Sequence, residues 1–444
     1  MASENLFDVR VDAWEYTTLG AICARGKGGV QTGPFGSQLH AADYVAVGIP
    51  SIMPQNIGDN RIIRDGIARI PLEDAERLGR YRVRAGDIVY SRRGDVERRA
   101  LVRKEEEGWL CGTGCLRVRF GFDDVDPAFA SFFLGDPRVR AWIVRHAQGA
   151  TMPNLNTAIL SALPFVVPPL EEQRAIARIL GTLDDKIELN RKMNETLEAM
   201  AVALFKSWFV DFDPVRAKAE GNDPGLPAPI AALFPDSYED SEFGEIPTGW
   251  RHVPLPEIID VNPSRPLRKG DIAPYLDMSN MPTRGHSADE VVQRPFGSGM
   301  RFANGDTLVA RITPCLENGK TAFVDFLEEN QVGWGSTEYI VLRPKPLLPD
   351  EFAYCLARSP EFRDYAIQSM TGSSGRQRVP AESLSYFKLA SPSKPVAELF
   401  GKLVKPLFDR AGKAAKENRS LAMLRDSLLP KLISGELRVD AESA

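Results

Sequence analysis

Pro168-Pro169-Leu170-Glu171-Glu172-Gln173-Arg174-Ala175-Ile176 opens a stretch that recurs once in the same chain, beginning at Pro392. The offset is 392 minus 168, or 224, and it holds for about forty positions. It pairs Ile176 with Phe400, Ile179 with Leu403, Leu183 with Leu407, Asn194 with Asn418, Leu197 with Leu421, Met200 with Leu424 and Leu204 with Leu428. One large unit repeated once argues against a solenoid of short repeats. It argues for a pseudosymmetric molecule, and duplex DNA is the commonest pseudosymmetric ligand for such a molecule.

Each copy of the stretch has the pattern of a long helix. Glu171 and Glu172 sit in the first turn after Pro168-Pro169, where carboxylates favour the positive end of the helix dipole. Ile176, Leu180, Leu183 and Ile187 follow at spacings of four, three and four, and Met193, Leu197, Met200 and Leu204 repeat that pattern. The second copy carries Leu403, Leu407, Ala411, Ala414, Asn418, Leu421 and Leu428, with Pro406 predicting a kink or a late start. Such stripes are coiled-coil seams. About 40 helical residues make a rod of roughly 60 Å, too long to pack only on its own domain. Antiparallel pairing of the two helices is the expectation, with one globular region at each end.

The fold class expected is α+β: two mixed α/β domains joined by two long antiparallel helices forming a coiled coil, with internal pseudo-two-fold symmetry. The boundaries read as a first domain at 1–167, a helix at 168–212, a connector at 213–244, a second domain at 245–391, a helix at 392–434 and a tail at 435–444. The connector is rich in Pro, Gly, Asp and Glu, which suits an exposed link. Inside the domains the repeat is fainter. Pro50 to Asn56 matches Pro274 to Asn280, Gly86-Asp87 matches Gly305-Asp306 as a turn entering an apolar strand, and Phe129 matches Phe352 on a short helix. The offset drifts here but not in the helices, as it would for a shared scaffold carrying two diverged readers.

Bulk properties are those of an ordinary globular protein: 444 residues, 43% hydrophobic, 26% charged. No run approaches the roughly 18 apolar residues of a membrane span. Met1 to Asn5 lacks the basic-then-apolar start of a secretory signal. Five cysteines without a CxxC read as free thiols in a reducing cytoplasm. A net charge of −5 requires that any surface for nucleic acid be local, or be completed by partner subunits.

Three stretches, Pro168 to Ile176, Leu204-Phe-Lys-Ser-Trp-Phe-Val-Asp-Phe-Asp-Pro214 and Leu424-Arg-Asp-Ser-Leu-Leu-Pro-Lys-Leu-Ile-Ser-Gly-Glu436, resemble the specificity subunits of type I restriction–modification enzymes. Gly33-Pro-Phe-Gly-Ser-Gln-Leu39, with Ile49-Pro50 and Asn56-Ile57, resembles the start of a family recognition domain. The second helix start departs from the pattern, with Val396 and Ala397 in place of Glu172 and Gln173. The resemblance implies two target recognition domains, each reading half of a split, asymmetric site on double-stranded DNA, with the helices as spacer. It implies docking of two methylation subunits and, through them, a restriction subunit that translocates DNA. Phe205, Trp208, Phe209, Leu428, Leu429 and Leu432 are the docking candidates. S-adenosylmethionine, ATP and Mg are expected on the partner subunits, with no cofactor and no catalysis on this chain.

Motifs for chemistry are consistent with that. Asp213-Pro214-Val215 and Asn262-Pro263-Ser264 lack the second proline and the aromatic of an adenine methyltransferase turn. Gly319-Lys320-Thr321 has Pro314 where a phosphate-binding loop needs glycine. The four histidines form no ligand pair.

For DNA contact the loops before each helix stand out: Gln148 to Asn156, with Thr151 and Asn154, and Thr371 to Arg378, with Ser373, Ser374, Arg376, Gln377 and Arg378. Small residues permit close approach to phosphates, while Arg reads guanine edges and Asn or Gln reads adenine edges. Two groups, Arg77, Arg80, Arg82, Arg84 and Arg92, Arg93, Arg98, Arg99, flank the Gly86 turn, and Arg311 matches Arg92. Ser37, Gln38, Asn56 and Asn280 complete the candidates. A coiled-coil adaptor for proteins and a self-sufficient DNA-modifying enzyme remain open alternatives at this point.

Overall fold

A computed structural model describes residues 6, 11–121, 124–149, 152–373 and 375–439. Thr151 and Ser374 lie outside the described residues. The chain divides into two units, 1–186 with 420–444, and 187–419. The two long helices, Leu170–Phe209 and Lys394–Ser434, contribute a segment to each.

In the first unit, Glu15–Thr18 pairs antiparallel with Pro164–Val167, so the chain enters and leaves the domain side by side just before the long helix begins. Between them lies an antiparallel sheet ordered Gly29–Thr32, Cys115–Arg119, Ile88–Ser91, Arg99–Leu101. Ile88–Ser91 is buried at every position, as a continuous apolar run in a central strand should be. A second sheet is ordered Ala68–Ile70, Ile49–Ile52, Leu110–Cys111, with the last pair parallel. The short helix Pro127–Phe133 starts with proline at its first position, and the Asp126 carboxylate accepts the Phe129 N–H at 2.9 Å.

The second unit repeats this plan. Arg251–Pro254 pairs with Lys388–Ser391, and a four-stranded sheet is ordered Ile259–Val261, Tyr339–Pro344, Thr307–Ala310, Thr321–Phe323. Ile272–Leu276 again has a parallel neighbour, Gly333–Gly335. The matched turns do the same work in both units. Asp87 accepts the Arg84 N–H at 2.8 Å and is held by the Arg119 guanidinium, while Asp306 accepts the Ala303 N–H at 2.8 Å beside Arg343 and Arg265. Phe129 and Phe352, the matched helix residues, are both fully buried.

Gln173 and Glu172 earn their place at the first helix start by tying it to the domain. Gln173 is fully buried, donates to the carbonyls of Pro168 (2.8 Å) and Asp124 (3.1 Å), and accepts the Asp126 N–H. Glu172 accepts from the Trp14 indole at 2.9 Å and from Arg438 at 2.6 Å. Val396 and Ala397 replace both by apolar burial in the second unit's core.

Within each unit the two helix segments pack antiparallel. In the first unit Ile176 and Leu180 share a core with Leu429, Leu432 and Ile433, and Asp184 pairs with Arg425 at 2.6 Å. In the second, Asn190 donates to Glu417 (2.8 Å) and Asn418 (2.9 Å), and further along Phe205 meets Phe400. The seam follows the sequence reading at Ile176, Leu180, Ala411 and Ala414 but departs from it elsewhere. Met200 and Leu403 are 54% and 40% exposed, while their neighbours Ala201 and Val404 are buried. Asp184 and Asn190 occupy seam positions that a count of apolar residues passes over.

Two further expectations are corrected. The second helix starts at Lys394, twelve residues before Pro406, so its start is not delayed to that proline. The stretch 213–244 is exposed over most of its length but is more than a link: Asp213–Ala219 is helical, Val215 and Phe234 are core residues, and Tyr238–Ser241 pairs with Gly244–Pro247. Phe234 packs edge-on against Trp208, ring centroids 4.9 Å apart.

Candidate nucleic-acid interface

In each unit the loop before the long helix and the segment after the central strand meet on one backbone frame. Gln148 and Asn154 close the first loop by mutual N–H···O bonds of 3.0 and 2.7 Å, and Thr371 and Arg378 close the second with two of 2.9 Å. Each loop then bonds to the chain leaving the central strand. Leu155 donates to Arg92 and Val379 to Arg311, while Gly94 donates to Pro153 and Thr313 to Gln377. Gly149 and Gly372 hold φ of +105° and +120°, which explains why the loops carry glycine there.

The third strand of the frame adds one more matched pair. Arg92 N–H donates to the Gly114 carbonyl at 2.8 Å, and Arg311 N–H to the Glu338 carbonyl at 3.0 Å. The same backbone positions therefore hold Arg92, Arg93, Asn154 and Gly114 in the first unit, and Arg311, Ile312, Arg378 and Glu338 in the second. The sequence reading named Arg92 and Arg311 on one candidate surface and Asn154 and Arg378 on another; the structure brings them together and adds Glu338, which that reading missed. The signal was the 224 offset itself, which maps Gly114 onto Glu338.

Glu338 changes the electrostatics of the second frame. Its carboxylate accepts from Arg378 Nε at 2.9 Å and from Arg311 Nε at 3.3 Å, and these guanidiniums, Arg378 first, hold it below the usual carboxylate range. In the first frame, Arg92 Nε and Asn154 Oδ1 are buried with no hydrogen-bond partner among the described residues. Unpaired buried polar atoms are costly, so a ligand that meets them gains from doing so. Arg93, Ser373 and Arg376 are exposed beside these frames, and Gln377 is half-buried.

Other candidates fall elsewhere. Asn56 is buried, and its side chain is spent on the Met53 N–H and the Ile63 carbonyl, so it shapes a turn rather than touching a base. Asn280 bonds to the Glu290 carbonyl. Gln38 accepts from the Tyr81 hydroxyl and the Phe35 N–H, closing the turn on which Ser37 is exposed. Of the basic cluster, Arg99 is buried and donates to the Ser131 carbonyl at 2.6 Å, Arg77 pairs with Asp74, and Arg82 donates to the Gly108 carbonyl. These three arginines fasten the domain's own loops.

The docking candidates lie in or against the chain's own cores. Phe205, Trp208 and Phe209 are 1, 2 and 6% exposed in the second unit's core, and Leu429 and Leu432 are buried in the first unit's, with Leu428 packed against it. Their apolar surface is already used by the chain's own fold.

Residues 13–199 match the type I restriction modification DNA specificity domain. The chain is 25% identical to the HindI specificity subunit of Haemophilus influenzae, over 87% of this chain and 95% of that one. It is 27% identical to the MjaIX specificity subunit of Methanocaldococcus jannaschii, over 66% of this chain and 65% of that one. Its fold is shared with a type I restriction–modification S subunit from M. genitalium, with a TM-score of 0.53 at 15% identity and coverage of 96% and 98%. A domain match over residues 13–199, relatives that extend into the second half, and a repeated domain plan agree: the chain is similar over most of its length to the specificity subunits of type I restriction enzymes.

Proposed function

We propose that the two units read two different half-sites of one bipartite, asymmetric DNA sequence, with the long helices setting the spacing. The observation that carries this reading is the pair of frames: one backbone arrangement bearing Arg92, Arg93, Asn154 and Gly114 in one unit and Arg311, Ile312, Arg378 and Glu338 in the other. Side chains of different donor and acceptor pattern on one scaffold select different base edges.

In this reading the chain also docks two methylation subunits and, through them, a restriction subunit. S-adenosylmethionine, ATP and Mg belong to those partners. With the aromatic residues buried, the apolar surface that remains for docking includes Met200, 54% exposed, and Leu424, 46% exposed. These are the same position in the repeat, 224 apart, which suits two copies of one partner. No helix among the described residues is long and apolar enough to cross a membrane.

The test is co-expression with the cognate methylation subunit and genome-wide mapping of methylated adenines. The expected motif has two unlike half-sites separated by a fixed, unread gap. A single contiguous motif, or none, would overturn the reading.

A further inference from the structure

We propose that Glu338 is a specificity-determining positioning residue of the second unit: it fixes Arg311 to read a guanine and removes Arg378 from base reading. This rests on the DNA-reading function proposed above. Arg378 spends Nε and Nη2 on the Glu338 carboxylate, at 2.9 and 2.8 Å, and Nη1 on the Arg376 carbonyl at 3.4 Å. The carboxylate thus fills its Nε–Nη2 edge, and each Nη keeps one further N–H. Arg311 gives the carboxylate only Nε, at 3.3 Å, and its two Nη groups have no hydrogen bond to any described residue. A guanidinium held at Nε with both Nη groups open is the geometry that reaches guanine O6 and N7 together. Glu338 is itself held in place, its backbone N–H donating to Ser336 Oγ at 3.0 Å and its carbonyl accepting from Arg311 N–H.

The charge count points the same way. Two arginines and one carboxylate leave a net charge of about +1 on the frame, which limits attraction to phosphates of any sequence. The first unit has Gly114 at the matching position, so Arg92 lacks such a clamp. At the matched frame position, among the described residues, the second unit has a clamped arginine and the first does not.

The experiment is competition binding by the assembled complex with its methylation subunits. The duplexes carry each substitution across the second half-site, at several salt concentrations. For Glu338→Gln, discrimination at one G·C pair falls by about tenfold, within the range of one bidentate contact. The dependence of affinity on salt steepens by about one phosphate contact, because Arg378 is released. Glu338→Asp keeps the charge, so it retains the wild-type salt dependence and part of the discrimination. Equal loss of affinity for every duplex, or unchanged discrimination at each position, would overturn the role of Glu338 while leaving the half-site reading intact. Absence of half-site preference in the wild-type complex would overturn both.

Discussion

Trp208→Ala separates a core residue from a docking residue. The indole is 2% exposed and packs against Phe234 at 4.9 Å, with Phe400 and Phe209 each 6.3 Å away. Phe234 comes from the stretch after the helix, so the truncation opens a cavity where that stretch closes over the helix end. Loss of a buried tryptophan costs about 3–5 kcal/mol. For a unit the size of 187–419, each kcal/mol lowers Tm by roughly 2–4 °C, so a fall on the order of 10 °C is expected. The assay is scanning calorimetry on the isolated chain, followed by a partner-binding measurement below the new transition. The transition that includes 187–419 should drop by that amount, while one confined to the other unit stays in place. An unchanged unfolding profile, with methylation-subunit binding abolished, would refute the reasoning and return Trp208 to the surface.

Met200→Asp and Leu424→Asp, both at exposed helix positions, should leave the unfolding of the isolated chain within about 0.5 kcal/mol of wild type and weaken docking in a pull-down with the methylation subunit. Arg425→Met leaves the Asp184 carboxylate, 9% exposed and paired at 2.6 Å, without its partner. Chemical denaturation should register a loss of about 3 kcal/mol, largely recovered in the double variant with Asp184→Leu. Burial pushes the Cys23 and Cys111 thiols up to about 12, and those of Cys115 and Cys355 are raised by burial too. A thiol titration at pH 8 should therefore label Cys315 in the native chain and the other four only after denaturation.

Much of this architecture was legible in the residues. The 224 offset marked both long helices, and the Pro168-Pro169 start with Glu171 and Glu172 placed the start of the first within two residues. The Gly-Asp turns and the short helices of Phe129 and Phe352 were found from their matched spacing. The seam was legible in part, at Ile176, Leu180, Ala411 and Ala414; elsewhere Met193, Met200 and Leu204 widen the apolar face while the seam itself takes Asp184 and Asn190. Those polar residues are satisfied only by partners more than 200 positions away, which no local pattern contains. Composition likewise passed over part of 213–244: Val215 and Phe234 join the second unit's core, Phe234 against Trp208, and Leu226, Ile230 and Tyr238 pack on that core.

The candidate site divides in the same way. Residue type picked out Arg92, Asn154, Arg311 and Arg378, since arginine and amides are what base edges require. Asn56 and Arg99 have those side chains too, but burial commits them to internal bonds. Glu338 went unnoticed because an acid argues against DNA contact when read alone. Only the frame shows that it holds two arginines.

The central claim is that each unit reads its own half-site. The direct measurement is a comparison of adenine methylation motifs from cells expressing the methylation subunit with wild-type chain or with Arg376→Ala, an exposed residue of the second loop. Degeneracy or change in one half-site, with the other half-site and the gap unaltered, is the predicted result. Loss of both half-sites equally, or of neither, would contradict it.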